Sequence, residues 1–492
     1  MAGKGVINIS GVSDSQTAPL AAGIINEKKG QYLLVVSSFV RAKRLAEDLS
    51  FFADRNICVL PEEEEFFLPY EARDHGALQK RLKVLKSIEQ DPDCVVIAPV
   101  SAAVRKMPPE DSFRGKSVEI KVGDDIEQSD LIRDLTQMGY ERLPVIDGRG
   151  QFAVRGGIID IFPPDAERPV RTELFDTEVD SVRSFDMDTQ RSIENLGGIS
   201  IWPAEQMTRD EEAFERALSA IEKAYDKQIK KLKKKEGSRE ALENLEEKKE
   251  SLTDYIKENI NIPQLENYIG YFYDSPETIR DYMDDPVIMI DDPNETLKHI
   301  ENTTQSMLDD FALMLEKGKA VPEDRNSFPS ADDYLDLYVP KNDDVYIFTP
   351  FASRVRHIDT FSEVINVQGR QTPAFAGRLD VFEKELQAYL SKVYQVTMVC
   401  PGSDRVENMR QFLGGKSLYD SVRVEDGHLS AGIDLPDRKQ CWIRDEDVFS
   451  IKKKQKRRRK RFSGGSPLKS FSDISKGDFV VHESYGLSLI HI

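Results

Sequence analysis

The residues best suited to chemistry lie near the start of the chain, in the segment VINISGVSDSQTAPLAAGIINE (6–27). An apolar run leads into Gly11, a small polar loop and a helix-like stretch, which is the order of a strand, a phosphate-binding loop and a helix. A working loop reads G-x-x-x-x-G-K-[ST], because its second glycine lets backbone N–H groups approach the phosphates and its lysine reaches the β/γ oxygens. Here Ser15, Gln16 and Thr17 stand at the Gly-Lys-Thr positions.

This degenerate phosphate loop lacks the groups that bind a nucleotide. Without the glycine and the lysine it can neither cradle nor neutralise phosphates, and Asp14 adds a negative charge where they would lie. We therefore predict the frame of a nucleotide site without its activity, and no catalytic residue. Asp291 and Asp292 follow a buried strand and would suit Mg²⁺ beside a working loop. Here we interpret them as a strand-end turn.

Composition bounds the class of protein. The chain has 492 residues, of which 39% are hydrophobic and 32% charged, so we expect several domains with packed cores and charged surfaces. A net charge of −19 disfavours a general nucleic-acid binder, because phosphate contacts need concentrated Lys and Arg. We find no run of about 18 apolar residues and no signal-peptide pattern, so no membrane span is expected. Scattered cysteines and histidines fit a reducing cytoplasm and predict no metal site.

In the first half of the chain the sequence pattern changes once, from a parallel α/β pattern to an antiparallel strand pattern. Over residues 6–107 apolar runs alternate with amphipathic stretches, which predicts a parallel α/β layer. YLLVVSS (32–38) and CVVIAPVSA (94–102) have the continuous apolar character of buried parallel strands. Residues 117–203 consist of alternating segments separated by turns, and this pattern predicts a small antiparallel sheet.

The second half contains three further kinds of segment. The charged stretch 209–260 is broken at Gly237 and predicts a solvated helical hairpin. Residues 341–447 return to the α/β pattern and predict a second, separate α/β domain. In KKKQKRRRKR (452–461) nine of ten residues are basic, and Ser, Gly and Pro follow, which favours a flexible linker. Two other readings of this run are a transient contact with DNA or an acidic surface, and, in a eukaryotic chain only, a nuclear localisation signal.

Four segments together resemble one family. FAVRGGIIDIFPP (152–164), VRTELFDTEVDSVRSFDMDTQRS (170–192) and IWPAEQ (201–206) are similar to the transcription-repair coupling factor (Mfd) family, and the excision-repair protein UvrB shares a version of this module. The decayed phosphate loop favours the coupling factors, because the loop of UvrB is intact. FSDISKGDFVVHESYG (471–486) resembles the start of their polymerase-binding domain.

The resemblance covers essentially the whole chain and implies an α/β multidomain fold. It is expected to comprise a degenerate P-loop-type parallel α/β domain with an inserted small antiparallel β-rich domain, a helical hairpin, a second α/β domain and the start of a β-barrel-like domain. The implied segments are a UvrB-like nucleotide-fold domain, first part (1–115), a UvrB-like UvrA-interaction domain (116–206), the hairpin and return to the first domain (207–335), the second α/β domain (336–449), a basic linker (450–472) and a truncated start of the polymerase-interacting domain (473–492).

The family's activities are implied only by the resemblance. A full-length coupling factor is an ATP-driven translocase on double-stranded DNA that displaces stalled RNA polymerase through its β subunit, then recruits UvrA to begin nucleotide excision repair in bacteria. The motor domains, with their ATP and Mg, are not expected in this chain. We expect it to dock UvrA, to restrain the motor until recruitment, to lack ATP hydrolysis and to lie in the cytoplasm. Two rival interpretations are a UvrB-like helicase fragment with residual ATPase and a generic α/β nucleotide-binding protein.

The family's UvrA-contacting residues match Arg155, Arg171 and Phe175 in this sequence. Pleat geometry gives an independent reason, because successive side chains of VRTELF (170–175) point to opposite faces of the sheet. If Val170 and its alternates face the core, Phe175 is an exposed aromatic beside an arginine, which is the composition of an interface hot spot. The alternative is that Phe175 packs inward and the arginines are ordinary surface charges.

The last residues, LSLIHI, do not fit the family pattern and suggest a truncation. A strand without its partners cannot bury its face. We therefore predict that this chain does not bind RNA polymerase on its own.

Overall fold

The structure is a computed structural model that describes residues 5–62, 75–207, 210–234, 237–258, 265–341, 344–351, 354–415, 421–449, 479–482 and 486–489. The chain divides into two units, Met1–Val448 and Phe449–Ile492. No described helix is both long and apolar enough to cross a bilayer.

The described strands are β1 (Val6–Ser10), β2 (Tyr32–Val36), β3 (Ile57–Val59), β4 (Val95–Pro99), β5 (Val118–Lys121), β6 (Glu141–Arg142), β7 (Gln151–Arg155), β8 (Ile158–Phe162), β9 (Val170–Phe175), β10 (Glu178–Phe185), β11 (Ser192–Leu196), β12 (Gly198–Ile201), β13 (Val287–Asp291), β14 (Val345–Thr349), β15 (Glu363–Asn366), β16 (Arg370–Gln371), β17 (Gln395–Cys400), β18 (Val422–Asp426), β19 (Ile433–Leu435), β20 (Gln440–Arg444), β21 (Phe479–His482) and β22 (Gly486–Leu489).

The described α-helices are α1 (Thr17–Glu27), α2 (Phe39–Phe52), α3 (His75–Gln90), α4 (Val100–Ala103), α5 (Gln128–Gln137), α6 (Glu211–Leu232), α7 (Arg239–Glu258), α8 (Ile269–Phe272), α9 (Pro293–Glu316), α10 (Ala331–Leu335), α11 (Leu379–Ser391), α12 (Ser403–Gly414) and α13 (Asp445–Val448). Short 3₁₀ helices span Glu110–Ser112, Leu265–Tyr268, Pro322–Ser327, Asp336–Tyr338 and Pro436–Arg438.

A seven-stranded parallel sheet forms the centre of the first unit, in the order β15-β1-β14-β13-β2-β4-β3. Every residue of β2, β4 and β13 is buried, because helices cover both faces of the sheet. Apolar residues of α1 and α2 pack on one face, and those of α3 and α9 pack on the other. The α/β class with a parallel sheet is therefore confirmed.

A second sheet is inserted between β4 and β13. It has six strands in the order β11-β10-β9-β8-β7-β6, all antiparallel except the short edge pair of β6 and β7. The core of this sheet domain lies against α5 and the two-stranded ribbon of β5 and β12. Helices α6 and α7 follow as a hairpin, and Lys249 bonds Asp226 between them at 2.7 Å.

The strands predicted for the second α/β domain divide between two sheets, which corrects its boundary at residue 336. β14 and β15 pair with β1 in the seven-stranded sheet, and only β16 to β20 form a separate five-stranded sheet. The apolar run of a strand shows that it is buried but not which sheet it joins, so the sequence pattern could not separate the two. The smaller sheet packs on α2, where the rings of Phe52 and Trp442 lie edge to face with their centroids 5.2 Å apart.

The basic run 452–461 lies outside the described residues. In the second unit the structure describes β21 and β22, which pair as an antiparallel hairpin. β21 falls within the strand predicted at residues 477–486. β22 includes part of the LSLIHI segment, which the sequence analysis left without a structural assignment.

Candidate docking surface and the degenerate phosphate loop

The degenerate phosphate loop follows β1 and is covered by the segment that leaves β15. Gly11 has a positive φ of 82°, and the backbone N–H of Val367 donates to the Ser10 carbonyl at 2.8 Å. A Cβ atom on Gly11 would lie 2.2 Å from the Val367 carbonyl oxygen, so this position requires glycine. The covering segment therefore lies directly against the turn that phosphates would approach in a working loop.

The side chain at the lysine position folds back into the loop. Gln16 Oε1 accepts hydrogen bonds from the backbone N–H and the hydroxyl of Ser13, at 2.7 and 2.6 Å. Gln16 is fully buried, and a Cβ atom on Gly369 would lie 2.7 Å from its Cδ. A backbone N–H of the loop is thus satisfied by a side chain of the same loop.

A buried ion pair fills the space between the loop and β13. Arg41 Nε donates to Asp291 Oδ2 at 2.7 Å, and Arg41 Nη2 donates to Asp291 Oδ1 at 3.2 Å. The Thr17 hydroxyl donates to the same Oδ1 at 2.8 Å, and Arg41 Nη2 also reaches the Asp14 carbonyl at 3.0 Å. Arg41 and Asp291 are each only 9% exposed. The cation beside this loop is therefore a side chain of the fold itself.

The two aspartates after β13 have separate structural roles. Asp291 ends the strand and binds Arg41, whereas Asp292 caps α9 by accepting from the backbone N–H of Glu295 at 3.2 Å. This agrees with the interpretation of a strand-end turn. Within the described ranges, no three His, Cys, Asp or Glu side chains are grouped so that they could hold a metal ion.

The alternation predicted for β9 is present. Val170 and Thr172 are buried and Leu174 is half-buried on the core face, whereas Phe175 at the strand end is 79% exposed. Asp176 follows with a positive φ of 59° and turns the chain into β10. The alternative in which Phe175 packs inward is therefore wrong.

Asp160 of β8 joins the two arginines that the sequence singled out. Arg171 Nε donates to Asp160 Oδ1 at 2.6 Å, and Arg171 Nη2 donates to Oδ2 at 2.9 Å. Arg155 Nη2 donates to the same Oδ2 at 2.6 Å. The register places Asp160 directly opposite Arg171, while Arg155 ends the neighbouring strand β7. The three side chains therefore form one cluster on the face opposite the domain core.

The two arginines differ in exposure. The Arg155 side chain is 46% exposed, whereas that of Arg171 is 15% exposed and lies 4.4 Å above the ring of the buried Phe185. The Asp160 hydrogen bonds raise the pKa of Arg171 above its ordinary value. Arg171 is thus not an ordinary surface charge, which corrects that part of the alternative.

The glycine pair after Arg155 forms the turn between β7 and β8. Gly156 has a positive φ of 60°, and a Cβ atom on Gly157 would lie 2.5 Å from the Leu174 carbonyl oxygen. The backbone N–H of Leu174 donates to the Gly157 carbonyl at 2.7 Å. This close backbone approach holds the turn between β7 and β8 against the end of β9.

Sequence reasoning missed Asp160 and Gln190. Asp160 interrupts the otherwise apolar strand IIDIF, and this carboxylate in an apolar run could have identified it as a paired, buried charge. Gln190 Oε1 accepts a hydrogen bond from Arg171 Nη2 at 2.9 Å. Gln190 lies in the turn after β10, where the sequence pattern does not predict which way a side chain points. The resulting surface presents one exposed aromatic ring and one half-exposed guanidinium on a rigid sheet.

Comparisons with known proteins show what this chain is similar to. The family profile described as UvrB interaction domain matches residues 118–207, which include the whole six-stranded sheet. A transcription-repair-coupling factor of Bacillus subtilis (strain 168) is 30% identical over 97% of this chain. The resemblance to the transcription-repair-coupling factors is confirmed. Factors of the same name from Staphylococcus haemolyticus (strain JCSC1435) and Staphylococcus aureus (strain MRSA252) are 28% and 27% identical, over 98% and 97% of the chain.

The chain spans 41% of the length of each of these coupling factors. The matched profile spans the six-stranded sheet together with α5 and the ribbon of β5 and β12. Arg155, Arg171 and Phe175 all lie inside the matched residues.

Proposed function

We propose that this chain contributes to transcription-coupled nucleotide excision repair by docking UvrA on the six-stranded sheet. The observation that carries the proposal is that the exposed Phe175 ring and the Arg155–Asp160–Arg171 cluster lie on the same face of the sheet. Exposed aromatic and arginine side chains dominate binding energy at protein interfaces when a partner desolvates them. Strand pairing holds the backbone at Phe175, and Asp160 holds the Arg155 guanidinium, before binding, which reduces the conformational entropy lost on association.

The partner surface that fits this face is part apolar and part acidic. Phe175 would fill an apolar pocket of the partner. Arg155 keeps donors that can meet a carboxylate, because within the described part of the chain its side chain bonds Asp160 through Nη2 and is 46% exposed. Glu173 and Arg183 pair with each other nearby, so their charges offset one another. The net attraction toward an acidic partner would therefore come mainly from Arg155.

The other activities of the family are proposed only for full-length coupling factors. They are ATP-driven translocation on double-stranded DNA, displacement of RNA polymerase through its β subunit, and restraint of the motor by the region that docks UvrA. The similarity to coupling factors supports them.

We further propose that this chain does not hydrolyse ATP. Gln16 folded into the loop, the Arg41–Asp291 ion pair and the covering residues 367–369 all support this view. The rival reading as a UvrB-like helicase fragment with residual ATPase requires phosphates to enter the space that these groups fill. The covered loop therefore favours the docking role.

Titration calorimetry of UvrA into the whole chain tests the docking role. We expect binding by the wild type and a loss of about 2 kcal/mol or more for Phe175→Ala, the scale of a hot spot. Phe351→Ala is the matched control, because Phe351 is 75% exposed but lies outside the six-stranded sheet. No binding by a folded wild type would overturn the proposal. An equal loss of affinity in both variants would show that the interface is not specific to Phe175.

A further inference from the structure

The Asp160 carboxylate is buried, yet it receives three hydrogen bonds from two arginines. It is 1% exposed, and both of its oxygens accept guanidinium donors at 2.6 to 2.9 Å. A buried carboxylate is costly unless it is paired and hydrogen-bonded, so the two arginines and Asp160 depend on one another for their positions. Arg171 approaches in the two-bond geometry that fixes the plane of a guanidinium.

Arg171 directs its donors into the domain. Its Nε and Nη2 atoms bind Asp160, Nη2 also binds Gln190, and the guanidinium lies over the Phe185 ring. Arg155, by contrast, contributes one bond to Asp160 and leaves nearly half of its side chain exposed. The two arginines are therefore not equivalent, although the sequence presents them as the same kind of candidate.

We infer that Asp160 and Arg171 are positioning residues, and that Arg155 and Phe175 are the residues that contact the partner. This inference rests on the proposed UvrA docking. Gln190 bonds Arg171, Arg171 holds the Asp160 carboxylate in one orientation, and Asp160 then holds the Arg155 guanidinium on the sheet face that presents Phe175. An arginine without such a partner samples many rotamers and must lose that freedom on binding.

A double-mutant cycle with UvrA distinguishes positioning from a general effect on stability. The variants are Asp160→Asn, Arg155→Ala and the two combined, each in the whole chain and measured by titration calorimetry. We expect each single change to weaken binding about tenfold, and the double variant to be no weaker than Arg155→Ala, because contacts that act together are not additive. Additive losses, or unchanged binding in Asp160→Asn, would overturn the inference.

Asp434→Asn is the matched control. Asp434 is also a fully buried carboxylate that binds an arginine, since Arg370 Nε donates to its Oδ2 at 2.7 Å, but it lies in the five-stranded sheet. We expect this variant to bind UvrA as the wild type does. A loss equal to that of Asp160→Asn would mean that removing any buried carboxylate disturbs binding, and would overturn the inference.

A milder variant covers the case in which Asp160→Asn does not fold. Gln190→Ala removes one bond to Arg171 and keeps the buried carboxylate. We expect it to weaken binding about two- to threefold in the wild-type background and not at all in the Arg155→Ala background. The same loss in both backgrounds would overturn the inference.

A measurement without UvrA separates this inference from the proposed function. The Nε–Hε NMR signal of Arg155 reports the mobility of that side chain in the free chain. We expect a restrained signal in the wild type and a mobile one in Gln190→Ala or Asp160→Asn. Equal mobility in wild type and variants would overturn the positioning role, whereas a wild type that shows the restraint but does not bind UvrA would overturn only the docking function.

Discussion

Arg41 of α2 and Asp291 at the end of β13 are joined by two hydrogen bonds, of 2.7 and 3.2 Å, although 250 residues separate them in the chain. Thr17, which stands at the hydroxyl position of a phosphate loop, donates to the same carboxylate at 2.8 Å. The fold therefore fills the space beside the degenerate loop with an internal ion pair. This relationship gives the degenerate loop a structural role and leads to the first two predictions.

Breaking this ion pair is expected to destabilise the first unit. Arg41→Ala leaves the Asp291 carboxylate buried without its cation, which costs about 3–5 kcal/mol. Arg239→Ala is the control, because Arg239 and Glu243 form an exposed pair whose loss should leave the stability nearly unchanged. Chemical denaturation followed by circular dichroism measures both. Equal, small effects would show that the buried pair contributes no more than a surface pair.

Restoring the missing residues of the phosphate loop is not expected to restore nucleotide binding. In Ser15→Gly/Gln16→Lys the loop regains the Gly-Lys-Thr part of the consensus, but Arg41 and the covering residues 367–369 still fill the space for phosphates. We expect no ATP binding by calorimetry in the presence of Mg²⁺, in the wild type or in this variant. Micromolar binding by a folded double variant would show that the loop lacked only those two side chains.

Two glycine substitutions near the loop are expected to have opposite effects on stability. Gly11→Ala forces a Cβ atom against the Val367 carbonyl at a positive φ, which should cost about 1–3 kcal/mol. Gly23→Ala lies on the exposed side of α1 with nothing within 4 Å, and alanine should stabilise the helix by about 0.5–1 kcal/mol. Thermal unfolding of the two variants is the measurement. A stabilised Gly11→Ala would mean that residue 367 does not hold its place against the loop.

The base of the helical hairpin should give the chain a pH-dependent stability. Burial raises the pKa of the Asp324 carboxyl from 3.8 to about 6, although it accepts from the Val321 backbone N–H and the Tyr271 hydroxyl. Because its folded pKa lies above its unfolded value, the contribution is fully present below about pH 4 and is lost as the pH rises through about 6. The loss is at most about 3 kcal/mol.

Asp324→Asn should remove this part of the pH dependence. The measurement is the unfolding free energy between about pH 4 and pH 7, where the linkage acts. Asp309→Asn, at an exposed position on α9, is expected to keep the wild-type slope. An unchanged slope in Asp324→Asn would assign the pH dependence to other groups.

Several features were predictable because the physical cause is local. The loss of the phosphate loop follows from two residue types at fixed positions. The exposure of Phe175 follows from the period of two along β9, combined with a core-facing set at residues 170, 172 and 174. The continuous apolar runs of β2, β4 and β13 predicted buried parallel strands for the same kind of reason.

Other features depend on which distant segments meet. The sequence did not indicate that β14 and β15 join β1, because an apolar run does not specify which strands it pairs with. It also gave Arg155 and Arg171 the same role, because only the register of β7, β8 and β9 brings Asp160 between them. The sequence by itself determined which side chains share a face and which chemistry the loop had lost. The tertiary structure decided which charges are paired and buried, because strand register and the crossing of remote segments arise from packing over the whole unit.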